Sequence, residues 1–77
     1  KPFKFRHGGD EYELPNTIDL RVGALFAEQD LAMAFVVLLG PDQWDRMKAS
    51  SAPMTDVKLD ALLRAYITHL GGDLGES

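Results

Sequence analysis

Two histidines, His7 and His69, are the residues best suited to bind a metal or move a proton near neutral pH, and the chain has no others. His7 sits beside a hairpin turn. His69 falls near a helix C-terminus, where the dipole favours a cation. No convergent ligand or catalytic set forms around either in sequence. Asp10, Glu11 and Glu13 crowd together, but alternation puts Glu11 and Glu13 on the solvated face of a strand rather than in an acid/base pair. Gly8-Gly9 is a turn and not a phosphate loop, because no helix N-terminus or lysine follows at the needed spacing. Ser50, Ser51 and Ser77 have no partner base nearby and no nucleophile motif around them. The residues therefore imply no catalytic, cofactor-binding or metal-ligating set, and the expected function is non-enzymatic.

Composition narrows the classes further. At 77 residues the chain is one domain. A chain of this size buries roughly 60% of its unfolded surface, which allows one modest core. Cysteine is absent, so there is neither a disulfide framework nor a thiolate metal site, in keeping with a reducing cytosol. Twelve acids outnumber eight scattered Lys and Arg, giving a formal charge of −4. Nucleic-acid binding normally needs a clustered basic face, so no nucleic-acid partner is expected. The longest apolar run, Leu31–Leu39, has nine residues, against the ~20 that a membrane-spanning helix needs. No membrane partner is expected either. Lys1 stands where an initiator methionine would, which suggests a trimmed or processed form, or part of something longer.

The elements follow from periodicity. Residues 3–14, FKFRHGGDEYEL, alternate in period two on both sides of Gly8-Gly9 and predict a hairpin. With that loop Phe5 faces Tyr12, Phe3 faces Leu14, Arg6 meets Glu11 and Lys4 meets Glu13, so apolar and opposite-charge pairs satisfy one register. An isolated hairpin is marginal in water, so its apolar face must rest on helices. Pro15 ends the second strand. Asn16 and Thr17 are good capping types, and Ile18, Val22, Leu25 and Phe26 predict a first helix over about 18–27, with Asp19 in its first turn. Asp30 caps a central helix over 30–39 that is apolar on every side and hence surrounded by protein. Gly40-Pro41 stops it and starts a third helix, about 41–49, covering one side of the core. Ala49–Pro53 is a small-residue linker, and Thr55 or Asp56 caps the last helix, about 56–70. Its stripe is Leu59, Leu62, Leu63, Tyr66, Ile67 and Leu70. Gly71-Gly72 is expected to end it and leave a mobile tail, 71–77. The expected fold is α+β and mainly α: an N-terminal hairpin on a bundle of about four helices.

Large apolar groups remain in surplus for so small a core. Met is common at adaptable binding surfaces, and Trp and Tyr are enriched at binding hot spots. The candidate partner-binding residues are Trp44, Met47, Met54, Phe3 and Tyr12, with Trp44 and Met47 placed at a groove that takes a partner's helix.

The order of motifs also resembles a known family. An aromatic strand, a Gly turn and Tyr12-x-Leu14-Pro15 lead through a helix to Leu38-Leu39-Gly40-Pro41-Asp42-Gln43-Trp44. An amphipathic helix then ends in His69-Leu70-Gly71, with a terminal Leu74-Gly75-Glu76-Ser77. Over nearly the whole chain this is similar to the tail assembly chaperones of long-tailed phages that infect actinobacteria. The resemblance implies a non-enzymatic protein without cofactors that coats the tape measure protein and helps tail tube subunits polymerise around it. It implies action in the host cell cytoplasm and absence from the mature virion. It also implies self-association or a frameshift-extended longer form joined at the Asp73–Ser77 tail. Two rivals stand beside it: a small helical adaptor or regulatory domain that binds one protein partner, and a DNA-binding regulator, disfavoured by charge.

Overall fold

The computed structural model describes the backbone of residues 1–74 and the side chains of residues 1–71. Strand β1 (Phe3–His7) pairs antiparallel with β2 (Asp10–Leu14), and the register sets Phe3 against Leu14, Phe5 against Tyr12 and Arg6 against Glu11, as the alternation requires. Gly8 and Gly9 both have positive φ, +59° and +87°. A two-residue hairpin loop whose twist matches the strands needs that conformation at both positions, and glycine adopts it at little cost. The charge pairs oppose each other across the ladder, yet neither closes to an ion pair among the described residues. Arg6 turns instead to the carbonyl of Gly9 at 3.2 Å.

Three helices follow: α1 (Leu20–Ala27), α2 (Leu31–Ala49) and α3 (Asp56–Leu74). The expectation of about four is corrected to three, because the segments before and after Gly40 run as one element. Gly40 nevertheless breaks the helical path inside α2, with φ 82° and ψ 165°, and Pro41 opens the second half. The start of α1 is also corrected. Asp19, not Asn16 or Thr17, is its cap, and the carboxylate accepts from Val22 N at 2.9 Å. Ile18 lies before the helix. Asp30 caps α2 through Met33 N at 3.2 Å, and Thr55 caps α3 through Lys58 N at 3.2 Å. Gly71-Gly72 does not end α3, which continues to Leu74; the rest of the expected tail, 75–77, lies outside the described residues.

The core is one cluster drawn from β2 and all three helices, with Phe3 and Phe5 of β1 packed against it: Tyr12 and Leu14 of β2, Val22 of α1, Ala34, Phe35, Leu38, Leu39 and Met47 of α2, and Leu63, Tyr66 and Leu70 of α3. Helix α2 packs on α1, β2 and α3 and is central, as expected. It is not enclosed on every side. Met33 is 49% exposed and Ala32 is open to solvent, because the strands and α3 cover only part of its circumference. Ile67 is 51% exposed despite belonging to the apolar stripe of α3. It sits about 80° from Leu59 around the axis, at the margin of the arc that meets the core.

Polar bonds fasten the hairpin to this core. Gln43 in α2 acts as a substitute strand: its Oε1 accepts from Glu13 N and its Nε2 donates to Glu13 O, both at 2.8 Å. The same Nε2 donates to Leu39 O at 2.8 Å. Tyr66, wholly buried, donates its hydroxyl to Pro15 O at 2.6 Å. Burial raises its pKa above the ordinary 10.0. The neutral phenol is thus the form the fold favours. Its contribution is full below the unfolded value and is lost as pH rises through the folded one. Tyr66→Phe should cost about 1 kcal/mol at neutral pH through the lost hydrogen bond. The gap between wild type and variant should narrow above pH 10, as read by urea unfolding in both ranges. A gap that stays constant would show that the hydroxyl does not titrate with folding.

Candidate partner-binding cleft

The break at Gly40 turns the chain so that Trp44 stands half-buried between two shallow clefts that share Val36. One, of about 300 Å³, lies over the corner and is lined by Arg21, Val36, Val37, Gly40, Pro41 and Trp44. The other, of about 230 Å³, lies between α2 and the start of α3, with Phe35, Val36, Trp44, Met47, Met54 and Leu59 in its walls. Both are at or below the ~300 Å³ low end of small-molecule pockets, and their walls are chiefly apolar. Lys48 holds its ammonium 5.5 Å from the centre of the indole ring and 3.4 Å from Asp45, which braces the exposed edge of Trp44. Beyond Ala32 and Leu59 the second cleft continues into a polar end at Asp30, Asp56 and Asp60. The Asp60 carboxylate is held by Arg64 at 2.8 Å, a contact that raises the Arg64 pKa.

Of the five candidate contact residues, Trp44, Met47 and Met54 converge on the cleft between α2 and α3. Met47 is only 5% exposed and forms its floor. Phe3 and Tyr12 lie elsewhere, on the inner face of the hairpin. Phe3 packs on the rings of Tyr66 and His69 at 5.5 Å, and Tyr12 stacks on Phe5 at 5.5 Å. Tyr12 is 1% exposed, so it is a core residue and offers no free surface. Arg46 covers its ring at 4.6 Å while donating to Glu11 O at 2.9 Å. Ala32, Val36, Lys48 and Leu59 were not singled out from the sequence. Ala32 and Val36 are one turn apart and share a face, which was a legible signal. The apposition of Leu59 depends on how α3 docks, which no local pattern gives.

The histidines are structural in this arrangement. His7 is 2% exposed, its Nε2 2.8 Å from Ala52 O and its Nδ1 2.7 Å from Lys58 Nζ. A carbonyl only accepts, so Nε2 carries the proton and Nδ1 accepts from the ammonium. The ring thereby pins the loop between α2 and α3 beside the cleft. His69 Nε2 lies 3.2 Å from both Lys1 O and Asn16 Oδ1 at the other end of the hairpin. Among the described residues no group of three or more His, Asp or Glu could hold a metal ion, and no helix is long and apolar enough to cross a membrane. No protein-family model, curated protein or solved structure matches the chain.

Proposed function

We propose that this chain is a non-enzymatic phage tail assembly chaperone that binds the tape measure protein and assists polymerisation of the tail tube. One observation carries the reading: three of the apolar groups in surplus, Trp44, Met47 and Met54, meet in an open cleft between two helices. Such a cleft suits the apolar face of an amphipathic partner helix. The resemblance of the Leu38–Trp44 block to that family supports the choice of partner. A helix seated with its apolar side chains against Trp44 and Leu59 would run toward Asp30, Asp56 and Asp60, where cationic side chains are favoured. The net charge of −4 helps keep the coated complex soluble. In this reading the protein acts in the host cell cytoplasm, contacts tail tube subunits, and is left out of the finished particle.

Co-expression with helical tape measure fragments tests the proposal. The wild type should keep them soluble and co-purify with them. Trp44→Asp should weaken capture by at least about thirtyfold, the scale of a hot-spot residue worth about 2 kcal/mol, while circular dichroism shows the fold retained. Wild-type protein that neither binds nor solubilises the fragments would overturn the function. A folded Trp44→Asp variant with undiminished capture would overturn the site.

A further inference from the structure

The two outer edges of the hairpin are treated differently by the rest of the chain. A two-residue loop makes His7–Asp10 a hydrogen-bonded pair, so Phe5–Tyr12 and Phe3–Leu14 also exchange bonds inside the ladder. The backbone groups of Glu11 and Glu13 must then point outward from β2, and those of Lys4 and Arg6 outward from β1. On β2 three of these four groups are taken: Gln43 holds Glu13 N and O, and Arg46 holds Glu11 O. On β1 no hydrogen bond among the described residues reaches the N–H or C=O of Lys4 or Arg6. Phe3 and Phe5, on the same strand, are only half-buried. One edge is closed by side chains of α2 and the other is open, with apolar rings still partly uncovered beneath it.

Charge selects the occupant of the open edge. Lys4 and Arg6 project from the solvent face of β1, both exposed. A second copy pairing β1 with β1 would set these cations against each other, and like charges directly opposed destabilise a strand pair. The β2 strand of a second copy has its own edge occupied by Gln43 and Arg46. We propose that the outer edge of β1 docks an extended segment of another protein, in which Asp or Glu alternates with apolar residues, as a third strand. Its backbone pairs with Lys4 and Arg6, its acids face their side chains, and its apolar residues cover Phe3 and Phe5. This surface is separate from the helix-binding cleft, and its test does not depend on the tape measure reading.

The full chain, labelled with nitrogen-15, would be titrated with a short peptide alternating glutamate and valine, and with its lysine-for-glutamate counterpart. Binding of the acidic peptide should slow amide exchange at Lys4 and Arg6, with little change at Trp44. Lys4→Glu combined with Arg6→Glu should weaken that peptide about tenfold and favour the lysine peptide instead. Lys4→Pro removes one outward N–H without touching the ladder, a place where an edge strand tolerates proline, and should abolish binding while hairpin resonances persist. Unchanged exchange at Lys4 and Arg6, equal binding of the two peptides, or concentration-dependent dimerisation through β1 would each overturn the proposal.

Discussion

Replacing His7 with alanine is expected to destabilise the protein by about 2–4 kcal/mol. The ring is 2% exposed, so its removal opens a cavity under the turn. It also strands the Ala52 carbonyl, which the Nε2 proton satisfies at 2.8 Å. The Lys58 ammonium reaches water once Nδ1 is gone, so that bond is the smaller part of the loss. Two milder variants divide the effect. Asparagine places an acceptor near the Nδ1 position and keeps the Lys58 contact, whereas glutamine places a donor near Nε2 and keeps the Ala52 contact. Glutamine should therefore be the less damaging. Urea unfolding followed by Trp44 fluorescence gives all three values. A loss below about 1 kcal/mol for alanine would mean that the loop is held by other contacts. Because Met54 sits in that loop, the alanine variant should also loosen one wall of the cleft.

Gly8→Ala should cost about 2–4 kcal/mol, whereas Gly9→Ala should cost about 1–2 kcal/mol. Both positions hold left-handed φ, +59° and +87°, so each variant bears the backbone penalty of an L side chain there. Only Gly8 adds a collision. A methyl group at Gly8 would meet Ser50 Oγ and lie 3.3 Å from Ala52 Cβ, while one at Gly9 meets open space. The difference between the two variants isolates the close approach of the turn to the linker. Ser50→Gly in the Gly8→Ala background should recover part of the loss, because it removes the hydroxyl in the way. Equal destabilisation at the two glycines, measured by thermal or urea unfolding, would show that the linker yields freely.

How far these features were legible depended on how local they were. The register of β1 and β2 could be read because Phe3–Leu14 and Phe5–Tyr12 pair across a loop of two residues, and a shift to a Gly9-Asp10 loop would keep the same faces but lose one of the two opposite-charge pairs. The corner at Gly40-Pro41 was legible for the same reason: the two residues carry their own stop and start signals. The Gln43 bridge was not, because nothing in LLGPDQW says that a side-chain amide will stand in for a strand 30 residues earlier in the chain. His7 was read only as a residue beside a turn. Its role depends on Ala52 and Lys58, 45 and 51 residues away. The grouping of Trp44, Met47 and Met54 was half legible. Trp44 and Met47 share a helix face at spacing three, but Met54 reaches them only once the linker folds back. Tyr12 was misplaced for a related reason. Alternation puts it on the inner face, and on β2 that face is covered, leaving Tyr12 1% exposed while Phe3 and Phe5 on β1 stay half-buried.

The bonds from the hairpin to the last helix have a consequence for how the protein is made. His7 to Lys58, Pro15 to Tyr66 and Lys1 to His69 join residues 51, 51 and 68 apart, so the hairpin is completed by α3, the last of the described helices. On a ribosome the chain grows at about 5–20 residues per second. Gln43 and Arg46, which hold the β2 side of the hairpin, are made before α3. The ring of Phe3 needs Tyr66 and His69 of α3, whereas that of Phe5 meets Tyr12 and Phe35, which are made earlier. Phe3, beside the open β1 edge, therefore gains its cover only when α3 has been made, and the last of the described helices completes the support of the hairpin.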